Sequence, residues 1–138
     1  MSTATRSRPV LKADTAAELM TPVASIRRSA TFHDACAFFI DRNLTIAPVI
    51  GDLGEPVGVL SIADLLIHVR ESNRPGPGVP ATAGDLMTPM VFSVPPETLA
   101  AEVIRDMLRS KVHHLFVIDP DGRIMGVVSA CDVLRHLQ

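Results

Sequence analysis

Two short stretches, Ser61-Ile-Ala-Asp64 and Ser129-Ala-Cys-Asp132, set a hydroxyl and a carboxylate three residues apart where a β-rich run passes into a helical pattern. A hydroxyl at a helix start suits a phosphate oxygen, because the first backbone N–H groups lack intrahelical partners and the helix dipole is positive there. A carboxylate one turn further in can accept hydrogen bonds from paired hydroxyls such as those of a ribose. The same Ser/Thr-x-x-Asp/Glu form is also a helix-capping box. It recurs at Thr15 to Glu18, Thr31 to Asp34 and Thr82 to Asp85, which read as caps alone. Lys111, His113 and His114 add a small basic cluster ahead of the second stretch, where the first has Asn43, Thr45 and Ile46. A flat base needs an apolar slot, which Val23 and Ala24, or Met90 and Val91, can supply.

The elements that must position these residues are repeated. Thr15-Ala-Ala-Glu-Leu-Met-Thr-Pro22 returns 67 residues later as Thr82-Ala-Gly-Asp-Leu-Met-Thr-Pro89. At an offset of 68, Val49 to Leu66 aligns without gaps to Val117 to Leu134, with eight identities in eighteen positions. Each copy opens with a capped helical turn that the proline ends. A short strand follows, Val23 to Ile26 or Met90 to Val94. Next comes an amphipathic helix, from about Thr31 to Arg42 with Ala35, Phe38 and Phe39 inward, or from about Glu97 to Ser110 with Val103, Ile104, Met107 and Leu108 inward. A hairpin turns at Gly51 to Gly54 or Asp119 to Gly122. The closing helix begins at Ser61 or Ser129 and carries Leu65, Leu66 and Val69, or Val133, Leu134 and Leu137. The spans expected are an N-terminal arm without fixed structure (1–13), a first repeat (14–70), a Pro/Gly linker (71–81) and a second repeat (82–138).

The bulk numbers narrow the function. A unit of roughly 60 residues is marginal alone, so two copies sharing their burial are plausible in a chain that is 47% hydrophobic. A net charge of −2, with no Lys/Arg run longer than Arg27-Arg28, gives no field for nucleic acid. No apolar stretch is long enough for a membrane span, and Met1 to Ala13 holds no signal-like apolar region, so the cytoplasm is the expected compartment. Five histidines and two cysteines, Cys36 and Cys131, lack metal-ligand spacing, and no nucleophile elbow or phosphate loop appears. No metal and no catalytic residue is expected.

The ordered set of Leu-Met-Thr-Pro, short strand, helix, Pro-Val-Ile, Gly-x-Leu/Val and Ser-x-x-Asp, present twice over residues 14–137, resembles the CBS domain pair. The resemblance implies an α+β fold of two tandem βαββα-type repeats, small mixed sheets flanked by helices and packed with pseudo-twofold symmetry. It implies a regulatory module rather than an enzyme, binding AMP, ADP or ATP, with S-adenosylmethionine or NAD as lesser candidates. Ser61 and Asp64, Ser129 and Asp132 would hold phosphate and ribose, His113 and His114 the phosphates. Val23, Ala24, Met90 and Val91 would hold the base. A homodimer acting in trans on an effector protein is expected, the alternative being a structural dimerisation module without a ligand. Phe116, which stands where the first copy has Pro48, would crowd one site. Imidazolium contacts to phosphate would make nucleotide affinity fall as pH rises from about 6 to about 8.

Overall fold

The computed structural model describes residues 9–72 and 81–137. Most of the expected arm (1–8) and linker (73–80) lie outside the described residues. The elements run α1 (Ala16–Leu19), β1 (Ile26–Arg27), α2 (Phe32–Arg42), β2 (Ile46–Ile50), β3 (Pro56–Ser61), α3 (Ile62–Glu71), then α4 (Ala83–Leu86), β4 (Ser93–Val94), α5 (Ala100–Ser110), β5 (His114–Ile118), β6 (Ile124–Ser129) and α6 (Ala130–Arg135). The fold is α+β, with one three-stranded sheet per repeat in the orders β1-β2-β3 and β4-β5-β6. Each sheet is mixed: β1 pairs parallel to β2 and β4 to β5, while β2 and β3 form an antiparallel hairpin. Gly54 and Gly122 turn the hairpins at φ +82° and +85°, a region that favours glycine.

In the unit built on the first repeat, Ile26, Ala35, Phe39, Ala47, Val49, Leu60 and Leu65 form the core. Ala83 of α4 is fully buried among them, with Leu86 and Met87 against the edge. The unit built on the second repeat buries Val94, Val103, Met107, Leu115, Val117, Val128 and Val133, and into this core go Ala13, Ala16 and Leu19 from the start of the chain. The opening helix of each repeat is thus built into the other repeat's core. Compact units accordingly group the segment ending at Pro22 with Ser93–Asp119 and the chain from Met125, and group Val23–Phe92 with the turn Pro120–Ile124.

Backbone hydrogen bonds hold each exchanged segment. Thr21 and Val127 exchange N–H···O bonds of 2.9 and 3.0 Å, and Thr88 and Val59 exchange two of 2.9 Å. At the helix starts, Ala16 and Ala17 donate to the Thr98 and Pro96 carbonyls, and Ala83 and Gly84 to those of Ala30 and Arg28. A four-residue helix is too short to persist alone, and these tertiary bonds satisfy the donors that would otherwise be orphaned. They also explain a departure from the expected cap at Thr15, whose side chain makes no capping bond; Glu18 instead accepts from the Asp14 N–H at 2.8 Å.

Other expectations shift as well. Residues 11–13 are not a loose arm: Leu11 bridges Leu137, Lys12 donates to the His136 carbonyl, and Ala13 is buried. The strands after Met-Thr-Pro shrink to Ile26–Arg27 and Ser93–Val94, because the Thr21 and Thr88 bridges hold the preceding backbone elsewhere. Helix α5 starts at Ala100 rather than near Glu97, since the carbonyls of Pro96 and Thr98 are engaged with α1. Leu108, expected inward, is 74% exposed, and Leu66 and Leu134 are 64% and 63% exposed. Their helices face the sheet with Phe39 and Leu65, or Met107 and Val133, and turn these positions outward.

The close crossing needs Gly58 and Gly126. A Cβ at Gly58 would lie 2.6 Å from the Thr88 carbonyl oxygen, and one at Gly126 would lie 2.7 Å from that of Thr21. Both obstacles are backbone, so the segment itself must move. Gly58→Ala and Gly126→Ala are each expected to destabilise by about 1–3 kcal/mol in urea unfolding. Gly122→Ala, which meets nothing within 4 Å, incurs only the positive-φ cost of about 1–2 kcal/mol. Equal stability of Gly126→Ala and the parent chain would contradict the crossing.

Candidate functional site

Both Ser-x-x-Asp stretches fold as full capping boxes. The Ser61 N–H and hydroxyl donate to Asp64 Oδ2 at 2.8 and 3.0 Å, and the Asp64 N–H donates back to Ser61 Oγ at 3.2 Å. The second repeat matches, with 2.8, 2.9 and 3.1 Å for the Ser129–Asp132 pair. The next N–H of each helix is also used: Ile62 donates to the Thr45 carbonyl and Ala130 to that of His113, both at 3.0 Å. The helix starts therefore offer fewer free donors to a phosphate than the sequence pattern alone suggests. The Ala63 and Cys131 N–H groups are left without an acceptor among the described residues.

The two carboxylates differ in what they have left to give. Asp64 is half-buried, and its Oδ1 accepts no hydrogen bond among the described residues. Asp132 is 3% exposed, and its Oδ1 accepts from Arg135 Nη1 at 2.9 Å. Arg135 was not among the residues singled out from the sequence. Its signal was the i,i+3 spacing from Asp132, which places the two on one face of a helix. The inequality of the sites thus comes from an intrahelical ion pair in the second repeat.

The basic cluster divides. Lys111 ends α5 in the left-handed conformation at φ 56°, and with His113 it lines a groove between α5 and α6. His114, one residue on and half-buried, opens β5. Burial pushes the His114 pKa below its ordinary 6.5, His113 adds to the depression, and Asp132 pulls partly back. The imidazolium of His114 is therefore disfavoured, opposite to what a phosphate contact requires. Val23 and Ala24 are half-buried in the loop before β1, not in a strand. Before β4, Val91 is half-buried and Met90 exposed. Phe116 pairs across to Ser93 and is almost wholly buried, as is Pro48 at the same place in the first repeat. The thiol of Cys36 is half-buried against the first core, and Cys131 is exposed.

The CBS domain family matches residues 16–71 and 83–138. The chain belongs to the CBS domain family. It is 30% identical to the chloroplastic CBS domain-containing protein CBSX2 of Arabidopsis thaliana, over 88% of this chain and 62% of that protein. The crystal structure of CBSX2 in complex with AMP superimposes with a TM-score of 0.73 at 30% identity, covering 89% of this chain and 95% of that one. The gamma-3 subunit of the 5'-AMP-activated protein kinase of Sus scrofa is 29% identical over 83% of this chain. The cytosolic domain of the Mg2+ channel MgtE in complex with ATP gives a TM-score of 0.75 at 27% identity, over 91% of this chain and 49% of that one. The CBS chain spans less than two thirds of the curated relatives it matches, 23% of the kinase subunit and 62% of CBSX2. No described helix is long and apolar enough to cross a membrane. Among the described residues no cluster of His, Cys, Asp or Glu could hold a metal ion.

The depressed His114 pKa fixes a pH dependence of stability. The unfolded chain binds the proton that the folded chain resists, so this contribution is complete above 6.5 and is lost as pH falls toward the folded value. Replacement by the first repeat's residue, His114→Ile, removes it. Between about pH 7 and about pH 5 the melting temperature of the parent is expected to fall more steeply than that of the variant. Parallel curves would place His114 in an environment no different from water.

Proposed function

We propose that this chain is a regulatory module that binds an adenine nucleotide of the AMP, ADP or ATP class. The observation that carries the reading is the half-buried Asp64 carboxylate, fixed through Oδ2 by its capping box and with Oδ1 still able to accept. A rigid carboxylate with one open oxygen suits vicinal ribose hydroxyls, and binding would not require it to reorder. The AMP held by CBSX2 and the ATP held by the MgtE domain support the same ligand class. S-adenosylmethionine and NAD share the adenosine half and are lesser candidates. Ser61 and Asp64 would hold the ribose and phosphate end and Val23 and Ala24 the base. Ser129, Asp132, His113 and His114 would hold the ribose and phosphate end of a second, weaker ligand, and Met90 and Val91 are the other pair of candidates for the base. Occupancy would be passed in trans to an effector protein by a homodimer working in the cytoplasm, without catalysis by the module.

One observation favours a second reading, a dimerisation module that has given up its ligand: Arg135 already holds the open oxygen of Asp132. Calorimetric titration with AMP and ATP separates the two. Removing a charge-assisted hydrogen bond costs about 1.5–3 kcal/mol, so Asp64→Ala is expected to weaken binding roughly ten- to a hundredfold. Asp132→Ala should cost less, and Ser61→Ala, which loses the cap hydroxyl but keeps the carboxylate, should lie between Asp64→Ala and the parent. No heat with either nucleotide, or unchanged affinity in Asp64→Ala, would contradict the nucleotide reading at this carboxylate.

A further inference from the structure

The residue three places after each capping-box aspartate differs between the repeats. At the offset of 68 that aligns the two copies, Arg135 of α6 falls where α3 has Ile67. Residues three apart share a helix face, so each side chain lies beside its own aspartate. Both stand at the surface, Ile67 44% exposed and the Arg135 side chain 70% exposed. Arg135 donates to Asp132 Oδ1 at 2.9 Å while the Ser129 N–H and hydroxyl hold Oδ2, so both oxygens of that carboxylate are engaged. Ile67 has no donor to offer, and Asp64 keeps Oδ1 open. The other ionisable neighbours leave this contrast standing. On α3, His68 stacks on Phe32 at 4.8 Å and meets Ser72 Oγ, and Arg70 sits beside Glu71 at 3.9 Å. On α6, His136 Nδ1 meets the Asp132 backbone carbonyl at 2.8 Å, not the carboxylate. His114 of β5 senses the Asp132 charge, but its burial disfavours the imidazolium.

We infer that the side chain at positions 67 and 135 ranks the two sites: isoleucine leaves the first carboxylate open, and arginine occupies the second in place of a ligand's hydroxyls. The inference rests on the nucleotide reading above and adds the residue that decides which carboxylate is filled. A guanidinium and a pair of ribose hydroxyls both bring N–H or O–H donors to a carboxylate, so ligand and Arg135 compete for Oδ1. Arg135 is tethered one turn away and is always near, yet an ion pair with an exposed arginine is weak. The second site is therefore handicapped rather than abolished. Removing a residue that supports a site lowers its affinity, whereas removing a competitor raises it, and this sign separates the two roles.

Exchanging the residues tests the ranking one site at a time. AMP is titrated calorimetrically into Asp64→Ala with and without Arg135→Ile, and into Asp132→Ala with and without Ile67→Arg, with thermal melts of every chain. Arg135→Ile is expected to tighten AMP binding in the first pair, and Ile67→Arg to weaken it in the second, each by roughly three- to tenfold. Ile67→Arg leaves the second repeat untouched, so it remains decisive even where loss of the ion pair loosens α6. Unchanged affinity on Ile67→Arg, or weaker binding on Arg135→Ile in a chain that melts as its parent does, would overturn the ranking and leave the nucleotide reading intact. No heat from AMP in the parent chain or in any variant would overturn both.

Discussion

The structure depends on a reciprocal exchange of backbone. Each repeat lends its opening helix and Met-Thr-Pro segment to the other repeat's core, and each loan is secured by a two-bond bridge, Thr21 with Val127 and Thr88 with Val59. Neither α1 nor α4 has the length to stand alone, and each core would lose a fully buried member without the visitor, Ala16 and Leu19 in one case and Ala83 in the other. Two small units that are each marginal become stable together because neither is complete without a piece of the other's sequence. The exchange also sets where the candidate binding loops begin. Pro22 and Pro89 follow directly on the bridged threonines, so Val23-Ala24 and Met90-Val91 leave the crossings from fixed starting points.

The capping boxes show how one local device can serve both folding and chemistry. Five Ser/Thr-x-x-Asp/Glu patterns stand in the chain, and their fates differ. Thr82 and Asp85 form a full box on an exposed turn, whose hydrogen bonds to Thr82 hold the Asp85 carboxyl below the usual carboxylate range. Thr31 accepts a bond from Asp34 without the reciprocal one, and Thr15 makes none. Only the Ser61 and Ser129 boxes sit at a junction of strand and helix with the carboxylate shielded from water. Burial, rather than the pattern itself, is what sets these two apart.

The sequence made the duplication, the hairpins, both Ser-x-x-Asp caps and the α+β class legible, because all of these are local or repeat at a fixed offset. The exchange was not legible, because a repeat is naturally read as closing on its own residues, whereas Thr21 meets Val127 across most of the chain. The outward turn of Leu66, Leu108 and Leu134 was hidden for a related reason: helical periodicity says which residues share a face, not which face meets the sheet. At the candidate site the two serines and two aspartates were legible, and their inequality was not. It follows from Arg135, an ordinary i,i+3 pairing until the burial of Asp132 makes it decisive. The basic cluster divides because the chain passes there from α5 into β5, leaving His113 on the groove between α5 and α6 and His114 half-buried at the start of the strand.

The central claim is that this pair of repeats holds an adenine nucleotide. The chain contains no Trp and no Tyr, so the protein itself contributes almost no near-ultraviolet absorbance, and an adenine base carried through purification stands out against it. The decisive measurement is the absorbance spectrum of the purified chain before and after denaturation and filtration, with the released small molecule identified by mass. The account predicts an adenine band that passes into the filtrate on denaturation and belongs to an adenosine phosphate. A featureless spectrum from protein prepared in the presence of AMP and ATP, with an empty filtrate, would contradict it.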